Sequence, residues 1–115
     1  MTDLARLETQ VHDAVLRATV IGEIDMSNAA ALETRLLELA AGQRGLVMDL
    51  TQVSFMDSAG VRLLDHLVEE RGPDAPIRVV ATPSGPVRFA LRVCGFRDDL
   101  LADDVETAMT DLAGL

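Results

Sequence analysis

One serine sits where chemistry could be done. Residues 54–61 read SFMDSAGV and follow LVMDLTQV, so an apolar run ends, Asp57 and Ser58 come next, and Gly60 leads into an amphipathic segment. A hydroxyl where a strand yields to a helix can be a nucleophile, a helix cap or an acceptor for a modifying group. The nucleophile reading fails first. The serine turn of hydrolases needs G-x-S-x-G, and position 56 is Met. A general base is also wanting: helical spacing puts His66 two turns further on, on an outer face, and His12 falls in a turn far upstream.

The other two readings both fit Ser58. Asp or Ser ahead of an apolar periodic run satisfies the free amides of a helix start and contributes about 0.5–2 kcal/mol. Asp57 can do this alone, which leaves the Ser58 hydroxyl free in the first turn beside small Ala59 and Gly60. Small neighbours leave it uncovered and let another backbone come close. A phosphate there would face free N–H groups and the positive end of the helix dipole. Asp25 is similarly double: a turn or cap residue before a helix, or a functional carboxylate on the same rim as Ser58. Arg62 is a solvated helix residue, or one able to reach a phosphate or a partner's carboxylate.

Other chemistries find no support. A phosphate-cradling P-loop is impossible in a chain without Lys, and no G-x-G-x-x-G occurs. The two histidines have no metal-ligand spacing with each other or with Cys94. Asp98–Asp99 and Asp103–Asp104 lack the spacing and glycine of a calcium loop and read as a solvated rim and a helix N-terminus. Met48 and Met56 read as packing, and Cys94 as a small buried hydrophobe. No catalytic residue, metal or cofactor is expected, and the chain is not expected to be an enzyme.

These residues need elements to position them. LARLETQV (4–11) alternates as an outer strand does, and AVLRATVIGEI (14–24) is a longer β-branched strand after a turn near His12 and Asp13. DMSNAAALETRLLELAAG (25–42) has start and stop signals of a helix, with Leu32, Leu36 and Leu39 on one face. LVMDL (46–50) predicts a central buried strand, and a helix runs from Asp57 or Ser58 to Arg71. GPDAP (72–76) is a loop and IRVVAT (77–82) a strand. SGPVRFALRVCG (84–95) predicts a short helix capped by Ser84, FRDDLL (96–101) an edge strand, and DDVETAMTDLAGL (103–115) a last helix with Val105, Met109 and Leu112 inward. Strands alternating with helices make an α/β sheet covered by helices. If strands two and three are parallel, Asp25 and Ser58 share the edge where such sheets place their sites.

At 115 residues the chain fits one domain, 1–115. A net charge of −9 disfavours nucleic acid and anionic membrane surfaces as partners and suits basic protein surfaces. A single cysteine excludes an internal disulfide and fits a reducing compartment. The first fifteen residues carry acidic groups and no long apolar core, so no signal peptide is expected and a cytoplasmic setting is.

Three stretches in order, GEIDMSNAAALETRL, LVMDLTQVSFMDSAGVRLL and SGPVRFALRVCGF, resemble those of anti-sigma factor antagonists of the STAS domain family. The likeness covers about residues 14–113. It implies a single STAS-like domain with a mixed, mostly parallel sheet of four to five strands and about four helices. It also implies a partner switch. The unphosphorylated protein would bind an anti-sigma factor that is a serine/threonine kinase, phosphorylation of Ser58 would end the complex, and a protein phosphatase would restore it. The partner-binding set carried over comprises Asp25, Ser27, Asn28, Asp57, Ser58, Ala59, Gly60 and Arg62. Members with a second serine beside the first differ from this chain, which has Ala59. A monomer or weak dimer is expected, and a scaffold or regulatory subunit of a signalling or transport assembly is the alternative.

Overall fold

The computed structural model describes residues 5–113. Strands β1 (Ala5–His12) and β2 (Val15–Ile24) form a hairpin in which His12 faces Val15. Its two turn residues, Asp13 and Ala14, both take positive φ, 51° and 62°. That is the turn whose twist matches paired strands, although an alanine there is strained. Helix α1 (Ala29–Ala40) leads to β3 (Gly45–Met56), and α2 (Ser58–Arg71) leads to β4 (Ile77–Val80). Then come α3 (Pro86–Val93), one 3-10 turn (Asp98–Leu100), β5 (Leu101–Ala102) and α4 (Val105–Ala113). The sheet order is β1-β2-β3-β4-β5, antiparallel only between β1 and β2. The mixed, mostly parallel five-stranded sheet with four helices is the architecture expected. Leu4 and residues 114–115, included in the expected first strand and last helix, lie outside the described residues.

Strand alternation divides the core. Leu16, Ala18 and Val20 of β2 and Leu46, Met48 and Leu50 of β3 pack under α1, α2 and α3, which bring Leu36, Leu63, Leu64, Leu67, Val87 and Leu91. On the other face Val15, Val47 and Val80 meet Ala108 and Leu112 of α4, with Val105 and Met109 half-buried beside them. Asp49 lies in the buried half of β3 and is almost fully enclosed. Its Oδ1 accepts from the Thr51 amide (3.0 Å) and hydroxyl (2.7 Å), and Arg17 stands 3.6 Å from its Oδ2. A buried carboxylate must be paired, and the D-x-T spacing was the signal for this one.

Four details depart from the sequence reading. β3 runs to Met56, well past the expected end at Leu50, because residues 52–56 keep pairing with β2 across two register shifts. α1 starts at Ala29, and its cap residue Asn28 makes no side-chain cap bond. Ser84 does not cap α3; Gly85 holds that position without a side-chain bond. The edge strand shrinks to Leu101–Ala102, since the 3-10 turn occupies residues 98–100.

Arg71 fastens the sheet's far end. Its guanidinium donates to the carbonyls of Ala40 (2.9 Å) and Gln43 (3.0 Å) at the close of α1 and, at 3.4 Å, to Ala75. Burial pushes its pKa down from the ordinary arginine value. The Ala40 carbonyl also accepts from the Gln43 amide, whereas that of Gln43 has Arg71 as its side-chain donor, and hydrogen bonds to a charged group are worth about 1.5–3 kcal/mol. Arg71→Ala should therefore cost about 2 kcal/mol in urea unfolding, and a loss under a few tenths would show the bonds to be dispensable.

Candidate functional site

The site grows from two neighbouring strand ends. β2 and β3 run parallel, and Ile24 pairs with Met56 at their C-terminal ends. The Asp57 amide donates to the Ile24 carbonyl at 3.2 Å, which extends the ladder by one rung. Asp25 and Ser58 therefore leave the sheet on one edge, as the topology required.

At α2 the division of labour is visible. Asp57 is the cap: its Oδ1 accepts from the Ala59 amide at 2.8 Å, and its carbonyl accepts from Gly60 at 3.0 Å. Ser58 is exposed, and among the described residues no hydrogen bond to its hydroxyl is formed. The hydroxyl is thus neither a cap nor packed away. Arg62, four residues on and exposed, projects from the same helix face. Gly60 is different from the expectation that its small size serves an incoming partner. It is buried, and a Cβ there would meet Met56 Cγ at 2.2 Å and Ile24 Cγ2 at 3.2 Å. Gly60 positions the turn from beneath, seated on Met56 and Ile24.

The β2–α1 loop braces itself. Asp25 Oδ1 accepts from the Ser27 amide (2.8 Å) and hydroxyl (2.5 Å). Asn28 Oδ1 accepts from the Asp25 amide (3.0 Å), and Asn28 Nδ2 donates to the Glu23 carbonyl (2.8 Å). Ser27 and Asn28 thus set the loop and aim Asp25. The Ser27 hydroxyl, then its amide, hold the Asp25 carboxyl below the ordinary aspartate value of 3.8. A depressed folded value means the ionised form is favoured by folding, fully so above 3.8, and that this is lost as pH falls through the folded value. In an NMR pH series the Ser27 amide should titrate with a midpoint below 3.8; a midpoint at or above it would contradict these bonds.

Several residues were read differently or overlooked. Cys94 is exposed, against the expectation of a buried hydrophobe. Helix α3 ends in a Schellman turn, with the Phe96 amide on the Leu91 carbonyl, the Gly95 amide on that of Arg92, and Gly95 at φ 71°. That turn sends Phe96 into the core in place of Cys94. His66 is on the outer face as expected, and its Nδ1 lies 2.9 Å from Glu33 Oε1, linking α2 to α1. Arg88 was missed: its Nη2 donates to the Ala81 carbonyl (2.7 Å) and to Asp103 (2.9 Å), tying α3 to the ends of β4 and β5.

An exposed serine, preceded by the aspartate that caps α2, thus stands at the joined ends of two parallel strands. The STAS domain profile matches residues 6–108, and the chain belongs to the STAS domain family. Its relatives narrow the likeness. The anti-sigma-F factor antagonist RsfB of Mycobacterium tuberculosis is 38% identical over 74 residues, covering 64% of this chain and 61% of RsfB. The chain thus spans about three fifths of that relative's length. The crystal structure of an anti-sigma factor antagonist from Mycobacterium paratuberculosis superposes with a TM-score of 0.83 at 30% identity, over 95% of this chain and 94% of that one. The anti-sigma factor antagonist SpoIIAA in its unphosphorylated form shares the fold, with a TM-score of 0.72 at 23% identity over 96% and 97%.

Proposed function

We propose that this protein is an anti-sigma factor antagonist switched at Ser58. Unphosphorylated, it binds an anti-sigma factor that is also a serine/threonine kinase, and the sigma factor is released. The carrying observation is the exposed Ser58 hydroxyl, left uncapped because Asp57 does the capping. The names of the relatives support the same reading. In the modifying step Ser58 Oγ bonds to the γ-phosphorus of ATP, the bond to the departing ADP oxygen breaks, and a base of the kinase takes the hydroxyl proton. A phosphatase reverses the state by hydrolysis, with water supplying the oxygen of the released phosphate.

On this chain the residues have separate tasks. Asp57 holds the turn, Gly60 lets it sit on Met56, and the Ser27–Asn28 brace presents Asp25 beside it. Phosphate adds about −1.5 to −2 charges to a rim that already carries Asp25 and Asp57. Arg62, at helical spacing from Ser58, is placed to shield part of that charge. Incubation with the anti-sigma factor and ATP should add one phosphate to the wild type and none to Ser58→Ala, as read by mass spectrometry. Equal phosphorylation of both would remove Ser58 as the acceptor.

A further inference from the structure

Five large apolar side chains stand exposed among the described residues: Val11, Met26, Phe55, Phe89 and Val93. Single exposed apolar residues are ordinary on a protein surface. Here three of them, Phe55 (48% exposed), Phe89 (65%) and Val93 (68%), line one open depression of ≈ 540 Å³ whose edge includes Ser58. Helix α3 supplies two of the three. It buries Val87 and Leu91 against the sheet, and Phe89 and Val93, spaced i,i+4, lie on its opposite side. Holding α3 in place needs only one apolar stripe. The second stripe is mostly exposed, and the fold has little use for it. Clustered exposed apolar surface of this kind marks interaction sites.

We propose that this depression is the apolar half of the anti-sigma factor's docking surface, receiving an apolar side chain that the partner carries on a basic surface. The inference rests on the reading of Ser58 given above and extends it to α3. Two observations select that occupant. The depression is continuous with the Ser58 turn, because Met56, Asp57 and Ser58 form its wall. The balance of charge favours a basic partner: Asp25 and Asp57 stand on the rim and the chain carries −9, while of the nearby cations Arg88 is paired with Asp103 and Arg62 and Arg92 are exposed. A partner that covers the depression must then meet Ser58 while excluding water. A phosphate at that lip loses hydration as well as meeting like charge, and desolvating an unpaired charge is costly. The apolar surface thereby strengthens the switch.

Cys94 lies in the depression and is exposed, so it reports on coverage without any substitution. The probe is the anti-sigma factor that phosphorylates Ser58. In complex with it, wild-type Cys94 should react with a maleimide at least fivefold more slowly than in the free protein. The double variant Phe89→Ser/Val93→Ser should bind at least tenfold more weakly by calorimetry, with an unchanged thermal midpoint since both side chains are exposed. Full-strength binding by the double variant together with unprotected Cys94 overturns the inference, and the Ser58 reading stands if Ser58→Asp still weakens the complex. Undiminished binding by both Ser58→Asp and the phosphoprotein overturns the reading itself. Sedimentation velocity of the free protein checks the rival occupant. A dimer that the double variant abolishes, with anti-sigma factor binding intact, would assign the surface to a second copy and overturn the inference.

Discussion

Replacing Ser58 by Asp is expected to weaken the complex with the anti-sigma factor about tenfold, and phosphorylating Ser58 to weaken it more than a hundredfold. Unit charges 4 Å apart repel by about 1 kcal/mol in water and about 4 kcal/mol at an effective dielectric of 20. A partly covered rim lies between these limits. A dianion facing one partner carboxylate then costs about 3 kcal/mol, which exceeds a hundredfold. Aspartate carries about half the charge, so about 1.5 kcal/mol and a tenfold loss follow. Ser58→Ala should bind like the wild type, because the hydroxyl holds no bond within the protein. Raising the salt should shrink the Ser58→Asp effect, since exposed charges are screened over about 10 Å at 0.1 M. Calorimetry of the three proteins at two salt concentrations measures all of this. A large loss in Ser58→Ala would show that the hydroxyl itself is a binding group.

The second large effect concerns a residue buried beneath the turn. Gly60→Ala would raise the stability of an exposed helix by about 1 kcal/mol. Here the added carbon would lie 2.2 Å from Met56 Cγ and 2.7 Å from its sulfur, with Ile24 Cγ2 at 3.2 Å. Met56 and Ile24 are both buried, so neither swings clear without disturbing the core. Overpacking of this kind costs about 1–3 kcal/mol. With the clash at the severe end, a net loss of about 2 kcal/mol is expected in urea unfolding. The first turn of α2 must also shift, so binding should fall although no contact is removed. Met56→Ala in the same chain makes room and should recover part of the loss, a coupling that a double-mutant cycle reads directly. A Gly60→Ala protein more stable than the wild type would mean that the turn is not seated on Met56.

Much of this was legible before any coordinates. Start and stop signals placed α1 and α2 to within a few residues, and the order of elements put Asp25 and Ser58 on one edge. A cap ahead of the periodic apolar run was legible, but whether Asp57 or Ser58 supplied it was not; the Asp57 carboxylate on the Ala59 amide decides it. What escaped the sequence has a common cause. Residues 51–56 show no strict alternation, because two register shifts between β2 and β3 break the pleat period, and so they read as a loop. Cys94 sits three residues after the buried Leu91, a spacing that reads as inward until Gly95 turns the chain. Phe89 and Val93 were absorbed into a generic short helix, since helical spacing identifies apolar stripes without saying which of two faces a sheet will cover. Gly60 was read for what its smallness offers a partner, whereas only the fold reveals what lies beneath it.

Strand β3 has one further consequence. Its first half is flanked on both sides, by β2 and β4, but from Thr51 onward it has β2 alone as a neighbour. Amides along that free margin should exchange with deuterated solvent well before those of Leu46 to Asp49. Sequence drift at its exposed positions, Thr51, Gln52, Ser54 and Phe55, would alter the presented face while leaving the melting temperature nearly untouched, whereas Val53 and Met56 of the same stretch belong to the interior and are held.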